Sequence, residues 1–457
     1  HTYVQHHQTS MRLARDPYLN LLAPPAHHPE RYAKCSNRNR SIEVKVRIPV
    51  TTELLGEHPA LLDIEIPELG DESLASWVRG GDGLMGFGVY RKTTVVGSQR
   101  FAQARKWWRE QINTFEIQNN IHGSGSGPIL FSSFSFDPDE ESILVIPKVV
   151  IGQRNGKSWI TWIGDSRQPV LRAKHERAQG RDLQLEWSGS NGDMWQERVA
   201  RAVAKIRNDE LEKVVLARVI TATSDRPIEA RRLLQLLSSD YPSTWVYSIQ
   251  GLVGATPELL VRLNRTLVTS RVLAGTIRKT GDDERDLALA GSLARSSKDL
   301  EEHEYAVRSV AESLSPFCSS MNLPESPFVL HLSNVMHLAT DVTGVLADNS
   351  NPTDIFDLAS HLHPSAAVCG TPREDAARTI DEIEGISRGR YAGPIGWIDA
   401  RGDGELGIAL RCGQISDDQR SIYLYAGCGI VAGSDPEREY AESQAKLLPM
   451  RTALERH

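Results

Sequence analysis

The chain has 457 residues, of which 40% are hydrophobic and 24% charged, and its formal net charge is −7. This length suffices for one large core or for two to three ordinary domains, and the composition is typical of a folded globular protein. No apolar run reaches the roughly 20 residues that cross a bilayer, and the acidic balance disfavours a nucleic-acid-binding face. We therefore expect neither a membrane nor a nucleic acid as a partner, whereas a small anionic substrate remains compatible with the charge.

The cysteine pattern gives no sign of a disulfide framework. The cysteines are odd in number, scattered, and never spaced as CxxC: they are Cys35, Cys318, Cys369, Cys412 and Cys428. Such a pattern also disfavours a structural zinc site. A reducing cytoplasm is the compartment that it predicts.

The first residues differ in composition from the rest of the chain. Residues 1–41 hold five of the 14 histidines and six basic against two acidic residues, and they follow neither a helical nor a strand period. We predict that residues 1–42 form a flexible extension, although a basic targeting segment is an alternative. A metal site at His27 and His28 is not expected, because no matching ligands lie nearby.

Residues 43–192 are predicted to form a β-rich scaffold. Residues 41–50 alternate like a half-buried strand, 101–112 have the pattern of an amphipathic helix, and 129–136 are typical of a strand. The pair Asn155-Gly156 predicts a tight hairpin turn. This region contains no constellation of reactive side chains.

Residues 193–457 combine helices with a series of strands that do not alternate as βαβ units. After a helical segment over residues 193–210, strands are predicted at KVVLARVITAT, TWVYSIQ, LLVRL, TLVTSRVLAG, HLATDVTGVLA, GPIGWID, GELGIALRCGQI and SIYLYAGCGIVAG. Tight turns at residues 401–404 and 417–418 link the last of them. The pattern predicts an antiparallel, β-rich α+β fold.

One predicted helix carries two acids on neighbouring positions. In SSKDLEEHEYAVRSVAESL, Ser296 or Ser297 is expected to cap the helix. Asp299 and Glu302 are three residues apart, so both carboxylates project from one side.

The last predicted helix has a similar arrangement. In GSDPEREYAESQAKLL, Ser434 and Glu437 form the pattern of a capping box. Glu439, Glu442 and Lys446 then lie within about 60° of the helix circumference.

Each acidic pair alone is usually a solvated helix face, and Lys213 and Glu258 alone are usually surface charges. Two acidic pairs brought together would repel unless a hard cation lay between them, and oxygen ligands suit Mg²⁺. The glycine-rich AGCGIVAGSDPERE is a weak dinucleotide signal, since too little chain follows it for a further βαβ unit. Its backbone amides would instead suit a small anion such as a carboxylate.

Taken in order, these segments resemble the chorismate-binding enzyme family, which includes isochorismate, salicylate, anthranilate and aminodeoxychorismate synthases. The matching motifs are EKVVLAR, GATPELL, LAGTIR, SSKDLEEHEYAV, VMHLATDVTG, HLHPSAAVCGTPR, SRGRYAGPIGWID, IALRCGQI and AGCGIVAGSDPEREYAESQAK. They lie between residues 193 and 448, the expected catalytic core, while residues 43–192 resemble the more variable N-terminal part. The resemblance implies one α+β unit in which two large antiparallel sheets pack together, with helices outside.

The resemblance also implies the roles of individual residues. It assigns a Mg²⁺ shell, partly through water, to Asp299, Glu302, Glu439 and Glu442. It assigns the binding of chorismate to Gly275, His337, Ala367, Tyr391, Arg411, Gly427, Gly429 and Lys446. Arginine suits bidentate carboxylate binding.

The nucleophile separates the members of the family, and here the motifs favour water. Anthranilate synthases lack a lysine at the position of Lys213, and aminodeoxychorismate synthases carry one where this chain has Ala274. The resemblance therefore implies an isochorismate synthase, in which Lys213 takes a proton from water and Glu258 protonates the departing hydroxyl. No obligatory glutamine amidotransferase subunit is then expected. The lysine must be neutral and the glutamate protonated, which burial favours.

Two alternatives remain open. A salicylate synthase would go on to eliminate pyruvate, but Ala367 and Val368 in HPSAAVCG resemble the loop of isochorismate synthases, although Ser365 and Ala366 depart from its usual Thr-Pro. A non-catalytic chorismate-binding subunit would not need the intact Lys213. The downstream pathway cannot be assigned from the residues.

Overall fold

A computed structural model describes residues 47–457 of the chain, except for residues 72, 166, 175–181, 190 and 349–351. The predicted extension, with His27, His28 and Cys35, lies outside the described residues. The other four cysteines are free thiols, and the reducing compartment stays a prediction. No helix in these ranges is long and apolar enough to cross a membrane.

The described part of the chain contains eight α-helices and 25 strands. The helices are α1 (Arg100–Ile112), α2 (Gly192–Arg207), α3 (Ala230–Asp240), α4 (Asp283–Leu293), α5 (Ser297–Leu314), α6 (Ile355–Leu362), α7 (Arg373–Ile383) and α8 (Pro436–Glu455). The strands are β1 (Ile48–Leu55), β2 (Ile64–Glu65), β3 (Ala75–Arg79), β4 (Asp82–Phe87), β5 (Arg91–Val95), β6 (Phe115–Asn119), β7 (Ile129–Ser133), β8 (Ser142–Ile146), β9 (Val149–Arg154), β10 (Lys157–Ile163), β11 (Arg172–Ala173), β12 (Leu185–Gly189), β13 (Lys213–Ser224), β14 (Trp245–Ile249), β15 (Leu252–Thr256), β16 (Leu259–Asn264), β17 (Leu267–Arg278), β18 (Cys318–Asn322), β19 (Phe328–His331), β20 (Val335–Leu346), β21 (Gly370–Thr371), β22 (Pro394–Asp399), β23 (Gly404–Ile408), β24 (Cys412–Ile415) and β25 (Ser421–Ile430).

Two large sheets organise the fold. The larger has 13 strands in the order β12-β13-β25-β24-β15-β14-β3-β4-β9-β10-β1-β6, with β21 beside β13. The smaller has ten in the order β18-β20-β17-β16-β23-β22-β7-β8-β5, with β19 beside β20. Both sheets contain strands from before and after residue 193, and residues 47–457 form one compact unit. The predicted α+β class and the two large sheets are thus confirmed.

The pairing is antiparallel with one exception among the described strands. Strand β1 pairs in parallel with β6 at the edge of the larger sheet, so that sheet is mixed rather than purely antiparallel. The parallel pair arises because α1 lies between β5 and β6 and returns the chain in the same direction as β1.

The main core fills the space between the two sheets. It contains Trp77, Phe131, Leu259 and Trp397, and it is extended by residues of α1, α5 and α6. A second core lies on the other face of the larger sheet, where leucines of α3 and α8 cover it. Because both of its faces are covered, β13 is buried along most of its length, and its sequence shows a continuous apolar run rather than alternation.

Several local predictions are confirmed. Helix α1 spans the predicted amphipathic segment, and Ser296 caps α5 by accepting a hydrogen bond from Asp299 N. Asn155 and Gly156 have φ values of 51° and 74° and connect β9 to β10, the backbone that a tight hairpin turn requires. Of the strand predicted over residues 41–50, residues 41–46 lie outside the described residues, and the structure has a strand from Ile48 to Leu55.

Two local predictions are wrong. The segment 404–415 is not one strand: β23 belongs to the smaller sheet and β24 to the larger, and the chain crosses between them at Arg411, whose φ is 48°. Helix α8 is capped by Asp435, which accepts from Arg438 N, rather than by Ser434. Ser434 Oγ instead accepts from Val431 N, because it closes the preceding turn.

A buried ion pair ties α7 to the larger sheet. Arg388 and Glu384 are 3% and 1% exposed and lie 2.6 Å apart. Glu384 also accepts a hydrogen bond from Ala217 N, and Arg388 donates to the carbonyl oxygens of Val215 and Val368. With this many hydrogen bonds each partner compensates the other, so removal of one leaves a buried charge unpaired.

We predict that Glu384→Ala lowers the free energy of unfolding by about 3–5 kcal/mol, because Arg388 then remains buried without its counter-ion. The matched control is Arg378→Ala in α7, which removes an ion pair between two exposed side chains: Arg378 is 64% and Asp375 40% exposed. The expected loss of unfolding free energy there is below about 1 kcal/mol. Urea denaturation of both variants measures the difference. Equal losses would contradict the assigned role of the buried pair.

Candidate active site

A cleft with about 560 Å³ of empty space lies where the two sheets meet helices α5 and α8. Its walls come from β13 and β25 of the larger sheet, from β17 and β20 of the smaller, and from the loops around residues 257, 367 and 391. The structure brings ten predicted site residues to these walls: Glu258, Gly275, Glu302, His337, Ala367, Tyr391, Arg411, Gly427, Gly429 and Lys446.

The other four predicted residues lie behind the walls. Lys213 is fully buried and contacts Glu302. The Cβ atom of Asp299 packs against Gly275. Glu439 and Glu442 project from α8, and their carboxylates lie with the Cys428 thiol within 4.8 Å of one another. Asp299 and Glu302 are outside that group, so the four acids do not form one cluster at this distance.

Glycines at the wall allow close approach of charged side chains. A Cβ added at Gly429 would overlap Glu302 Oε1 and lie 3.1 Å from Lys213 Cε. At Gly427 it would lie 2.8 Å from the Tyr391 hydroxyl. Gly275 has φ of 78° and interrupts the register of β17, a conformation that side-chain-bearing residues adopt rarely. Lys213 therefore lies directly behind the cleft wall at Gly429.

Three lysines lie beside three glutamates around the cleft. Lys213 Nζ is 3.5 Å from Glu302 Oε1, Lys298 Nζ is 2.8 Å from Glu439 Oε1, and Lys446 Nζ is 2.6 Å from Glu442 Oε1. Lys446 also donates to the carbonyl oxygen of Gly427. The Lys298 contact joins α5 to α8, so a lysine offsets part of the repulsion between the two acidic helices, and the predicted cation between them stays a prediction.

Burial shifts the pKa values of the two candidate proton-transfer groups in opposite directions. It lowers the pKa of Lys213, while Glu302 and Glu258 oppose the shift. Burial raises the pKa of Glu258 to about 8, against the opposing effect of Arg411, Lys213 and Lys446. Both directions are the expected ones, because a group removed from water favours its neutral form. Lys213 Nζ makes no hydrogen bond to the described residues.

The α8 carboxylates have properties that suit a hard cation. Burial and then Glu442 raise the pKa of Glu439 to about 7, although Lys298 opposes them. Burial acts in the same direction on Glu442, but Lys446 and Lys298 outweigh it and lower the pKa. Glu439 Oε2 is buried without a hydrogen-bond partner in the described part of the chain. An oxygen-rich set with an unpaired buried carboxylate oxygen fits Mg²⁺.

His337 is held in one tautomer by its two neighbours. Its Nε2 lies 3.0 Å from the Arg411 guanidinium, which can only donate, so Nε2 must accept. Its Nδ1–H then faces Thr276 Oγ1 at 3.0 Å. Burial and the charge of Arg411 keep the pKa of His337 well below its ordinary value. The neutral imidazole thus orients Arg411 within the cleft.

Sequence reasoning missed several residues of the site. Thr276 and Arg388 line the cleft, Lys298 pairs with Glu439, and Cys428 lies beside the α8 carboxylates. Cys428 lies between Gly427 and Gly429 on β25, and successive residues of a strand point to opposite faces. Since the two glycines face the cleft, the sequence could have indicated that Cys428 faces α8. Lys298 lies next to Asp299 in the sequence, but its partner is 141 positions away and has no local signal.

Comparisons with known proteins agree on one family. The family model described as chorismate binding enzyme matches residues 77–455. Isochorismate synthase MenF of Bacillus subtilis (strain 168) is 33% identical over 395 residues, covering 79% of this chain and 83% of the relative. Isochorismate synthase DhbC of the same organism is 34% identical over 343 residues, covering 72% and 81%. The structure of MenF, described as the menaquinone-specific isochorismate synthase from Escherichia coli, matches at TM-score 0.73 and 24% identity, covering 89% of this chain and 94% of that one; it shows a shared fold.

We predict that Gly429→Ala lowers the free energy of unfolding by about 1–3 kcal/mol, because the new methyl group forces Glu302 and Lys213 from their positions. Gly433→Ala is the matched control on the same segment, since a Cβ there meets nothing within 4 Å. Its effect should stay within about 0.5 kcal/mol. Urea denaturation measures both, and a Gly429→Ala variant as stable as the control would refute the close approach.

Proposed function

The chain belongs to the chorismate-binding enzyme family, and we propose from that premise that it is an isochorismate synthase, which converts chorismate into isochorismate. The observation that carries the proposal is that Glu258 lines the cleft and Lys213 lies directly behind its wall at Gly429, with burial shifting both pKa values towards the neutral forms. A neutral lysine and a protonated glutamate are the base and the acid that hydroxyl exchange by water needs.

The cleft offers groups for each part of the substrate. Arg411 and Lys446 supply positive charge for the carboxylates of chorismate, and arginine can bind a carboxylate through two parallel hydrogen bonds. His337 fixes the orientation of Arg411. Tyr391 and the backbone at Gly275, Gly427 and Gly429 would contact the ring and the remaining polar groups.

We also propose Mg²⁺ as the cofactor. Asp299, Glu302, Glu439 and Glu442 would hold it, some of them through water, because Mg²⁺ takes only one or two carboxylates directly and keeps several waters. When bound, the ion would neutralise the negative charge of a substrate carboxylate at the acidic end of the cleft. The unpaired Glu439 Oε2 supports this assignment.

In the proposed reaction a water molecule attacks carbon 2 of the chorismate ring. Lys213 Nζ accepts a proton from that water as the new C–O bond forms, and the carboxyl of Glu258 donates its proton to the hydroxyl that leaves carbon 4. Each positioned proton transfer contributes about 10² to 10⁴ in rate. The net result moves a hydroxyl group and leaves the composition of the ring unchanged.

The groups around the nucleophile favour water over an amine. Ala274 lines the cleft at the position where amine-using relatives of the aminodeoxychorismate type carry a lysine. The chain therefore offers no covalent amine there, and we propose that it needs no glutamine amidotransferase subunit. Ala367 and Val368, also at the wall, support arrest at isochorismate rather than elimination of pyruvate.

We predict that the protein, given chorismate and Mg²⁺, forms isochorismate, and that Lys213→Met lowers kcat by about 10²- to 10⁴-fold because the base is lost. Methionine keeps the buried volume. The matched control is Lys205→Met, which changes a half-buried lysine of α2 that pairs with Glu210 and Glu382 and lines no part of the cleft, so it should leave kcat unchanged. Chromatographic separation of the products is the measurement.

The same assay distinguishes the alternatives. EDTA should abolish turnover, and added Mg²⁺ should restore it. Salicylate together with equimolar pyruvate would replace the proposal by a salicylate synthase. Chorismate binding without any product, in the wild type and in Lys213→Met alike, would indicate a non-catalytic subunit.

We predict that kcat/KM falls above about pH 8, because the proposed acid Glu258 has its pKa raised to about 8 and loses its proton there. Each further pH unit should then cost about tenfold while the loss is limited by the protonated fraction. Glu258→Gln should lower kcat by about 10²- to 10⁴-fold and remove this alkaline limb. A Glu258→Gln variant that retains the limb would assign it to another group.

A further inference from the structure

Arg388 is a charged residue at the wall of the cleft for which the proposed reaction has no use. It is 4% exposed and follows the end of α7 by a few residues. Besides its ion pair with Glu384, its guanidinium contacts two backbone segments of the cleft: the strand that carries Lys213 and the loop that carries Ala367.

One edge of β13 lacks a neighbouring strand over a short stretch. β21 pairs with the first two residues of β13 on this edge, and Val215 N donates to the carbonyl oxygen of Cys369 at 2.7 Å. Beyond that bond, the described part of the chain has no strand beside this edge before β12, which pairs with Ile220–Ser224. Because these residues are buried, the backbone of residues 215–217 needs other hydrogen-bond partners.

The ion pair supplies these partners. Arg388 Nη2 donates to the carbonyl oxygen of Val215 at 2.8 Å, and Ala217 N donates to Glu384 Oε2 at 2.8 Å. Val215 and Ala217 are two residues apart on β13, so their backbone groups point to the same edge of the strand. The side chains of Arg388 and Glu384 therefore take the place of a strand between β21 and β12.

The same guanidinium holds the chain where it turns away from β13. Arg388 Nη1 donates to the carbonyl oxygen of Val368 at 2.9 Å. The backbone N–H groups of Val368 and Cys369 both donate to the carbonyl oxygen of Ser365, so this segment is a tight turn. Since Val215 and Val368 both line the cleft, one planar group sets the distance between these two parts of its wall.

Only a guanidinium can make this set of contacts. Arg388 Nε and Nη2 reach the two carboxylate oxygens of Glu384 at 2.7 and 2.6 Å, while Nη1 and Nη2 reach the two carbonyl oxygens. The guanidinium also packs over the Phe136 ring, 4.1 Å from its centroid. A lysine carries its donors on a single nitrogen and could not reach all four oxygens.

The backbone at Val215 is also the backbone of the proposed base. Val215 lies two residues after Lys213 on β13 and opposite Gly429 in the ladder with β25, and Lys213 lies directly behind Gly429. A shift of Val215 therefore moves both the base and the wall in front of it. The proposed carboxylate-binding groups, Arg411 and Lys446, make their hydrogen bonds elsewhere.

We propose that Arg388 is a positioning residue for the reaction. By standing in for a strand beside β13, it holds Val215, and with it Lys213, at a fixed distance from the turn that carries Ala367. This inference rests on the proposed isochorismate synthase activity. Because a misplacement of about 1 Å can cost about 10² in rate, the contacts of Arg388 act on the chemical step more than on substrate binding.

The first test compares the steady-state kinetics of Arg388→Lys and the wild type, followed as consumption of chorismate. We expect kcat to fall about 10- to 100-fold, because lysine cannot bridge the two carbonyl oxygens. KM should change less than about threefold, since Arg411 and Lys446 keep their contacts. The matched control is Arg378→Lys, which changes an exposed arginine of α7 and should keep the kcat of the wild type.

The second test is chemical rescue of Arg388→Ala. Guanidinium ion, at a concentration that leaves the wild type folded and active, should raise the kcat of this variant at least about tenfold by occupying the place beside Glu384. Urea has a similar planar shape but no charge and should not rescue it. Lys213→Met should respond to neither compound. If Arg388→Ala does not fold, Glu384→Gln combined with Arg388→Met leaves no unpaired charge and should fold with the lowered kcat.

Amide hydrogen exchange, measured by mass spectrometry, gives a result that needs no turnover. Exchange in residues 212–217 and 365–371 should be at least about tenfold faster in Arg388→Lys than in the wild type, because both segments lose a tie.

Two results would overturn the inference: wild-type exchange in these segments, or a variant that keeps its kcat and loses only KM. Absence of turnover in the wild type would instead refute the proposed function, and the exchange rates would then decide whether Arg388 holds the two segments.

Discussion

The compensation of buried glutamates by lysines is the constraint on which the site depends. Glu439 and Glu442 pair with Lys298 and Lys446 at 2.8 and 2.6 Å, while Glu302 lies 3.5 Å from Lys213, whose charged form burial disfavours. Removing one partner of a buried pair leaves a charge that costs about 3–5 kcal/mol. The Lys213–Glu302 contact joins β13 to α5 and the Lys298–Glu439 pair joins α5 to α8, so they fix these three elements relative to one another, whereas the Lys446–Glu442 pair lies within α8. The packing of the acidic helices is therefore an electrostatic requirement as well as an apolar one.

The two-sheet architecture positions the other two charged or polar groups of the cleft, Arg411 and His337. The chain leaves the smaller sheet after β23 and enters the larger at β24, and Arg411 lies at this crossing with φ of 48°. Its guanidinium is held by His337, which belongs to β20 of the smaller sheet. The crossing of the chain from one sheet to the other therefore positions Arg411, the cation proposed to bind substrate carboxylates. The positive φ of Arg411 allows the chain to make this crossing.

The sequence could predict the features that depend on residues close together along the chain. The hairpin at Asn155-Gly156, the cap at Ser296 and the spacing of acids along α5 and α8 are local, and the family motifs placed ten residues at the cleft. The break between β23 and β24 could not be predicted, because GELGIALRCGQI continues the strand pattern across it. The contact of Lys298 with Glu439 joins residues 141 positions apart. Such pairings depend on tertiary packing and leave no periodic pattern in the sequence.

One physical cause prepares both proton-transfer groups of the proposed mechanism. In water a lysine and a glutamate are both charged at neutral pH and would attract each other. Removal from water penalises both charges, so it lowers the pKa of Lys213 and raises that of Glu258. Arg411 and Lys446 oppose the shift of Glu258, and Glu302 opposes that of Lys213. The cations that would bind the substrate therefore also limit how far burial moves the acid, and Glu258 remains able to release its proton near pH 8.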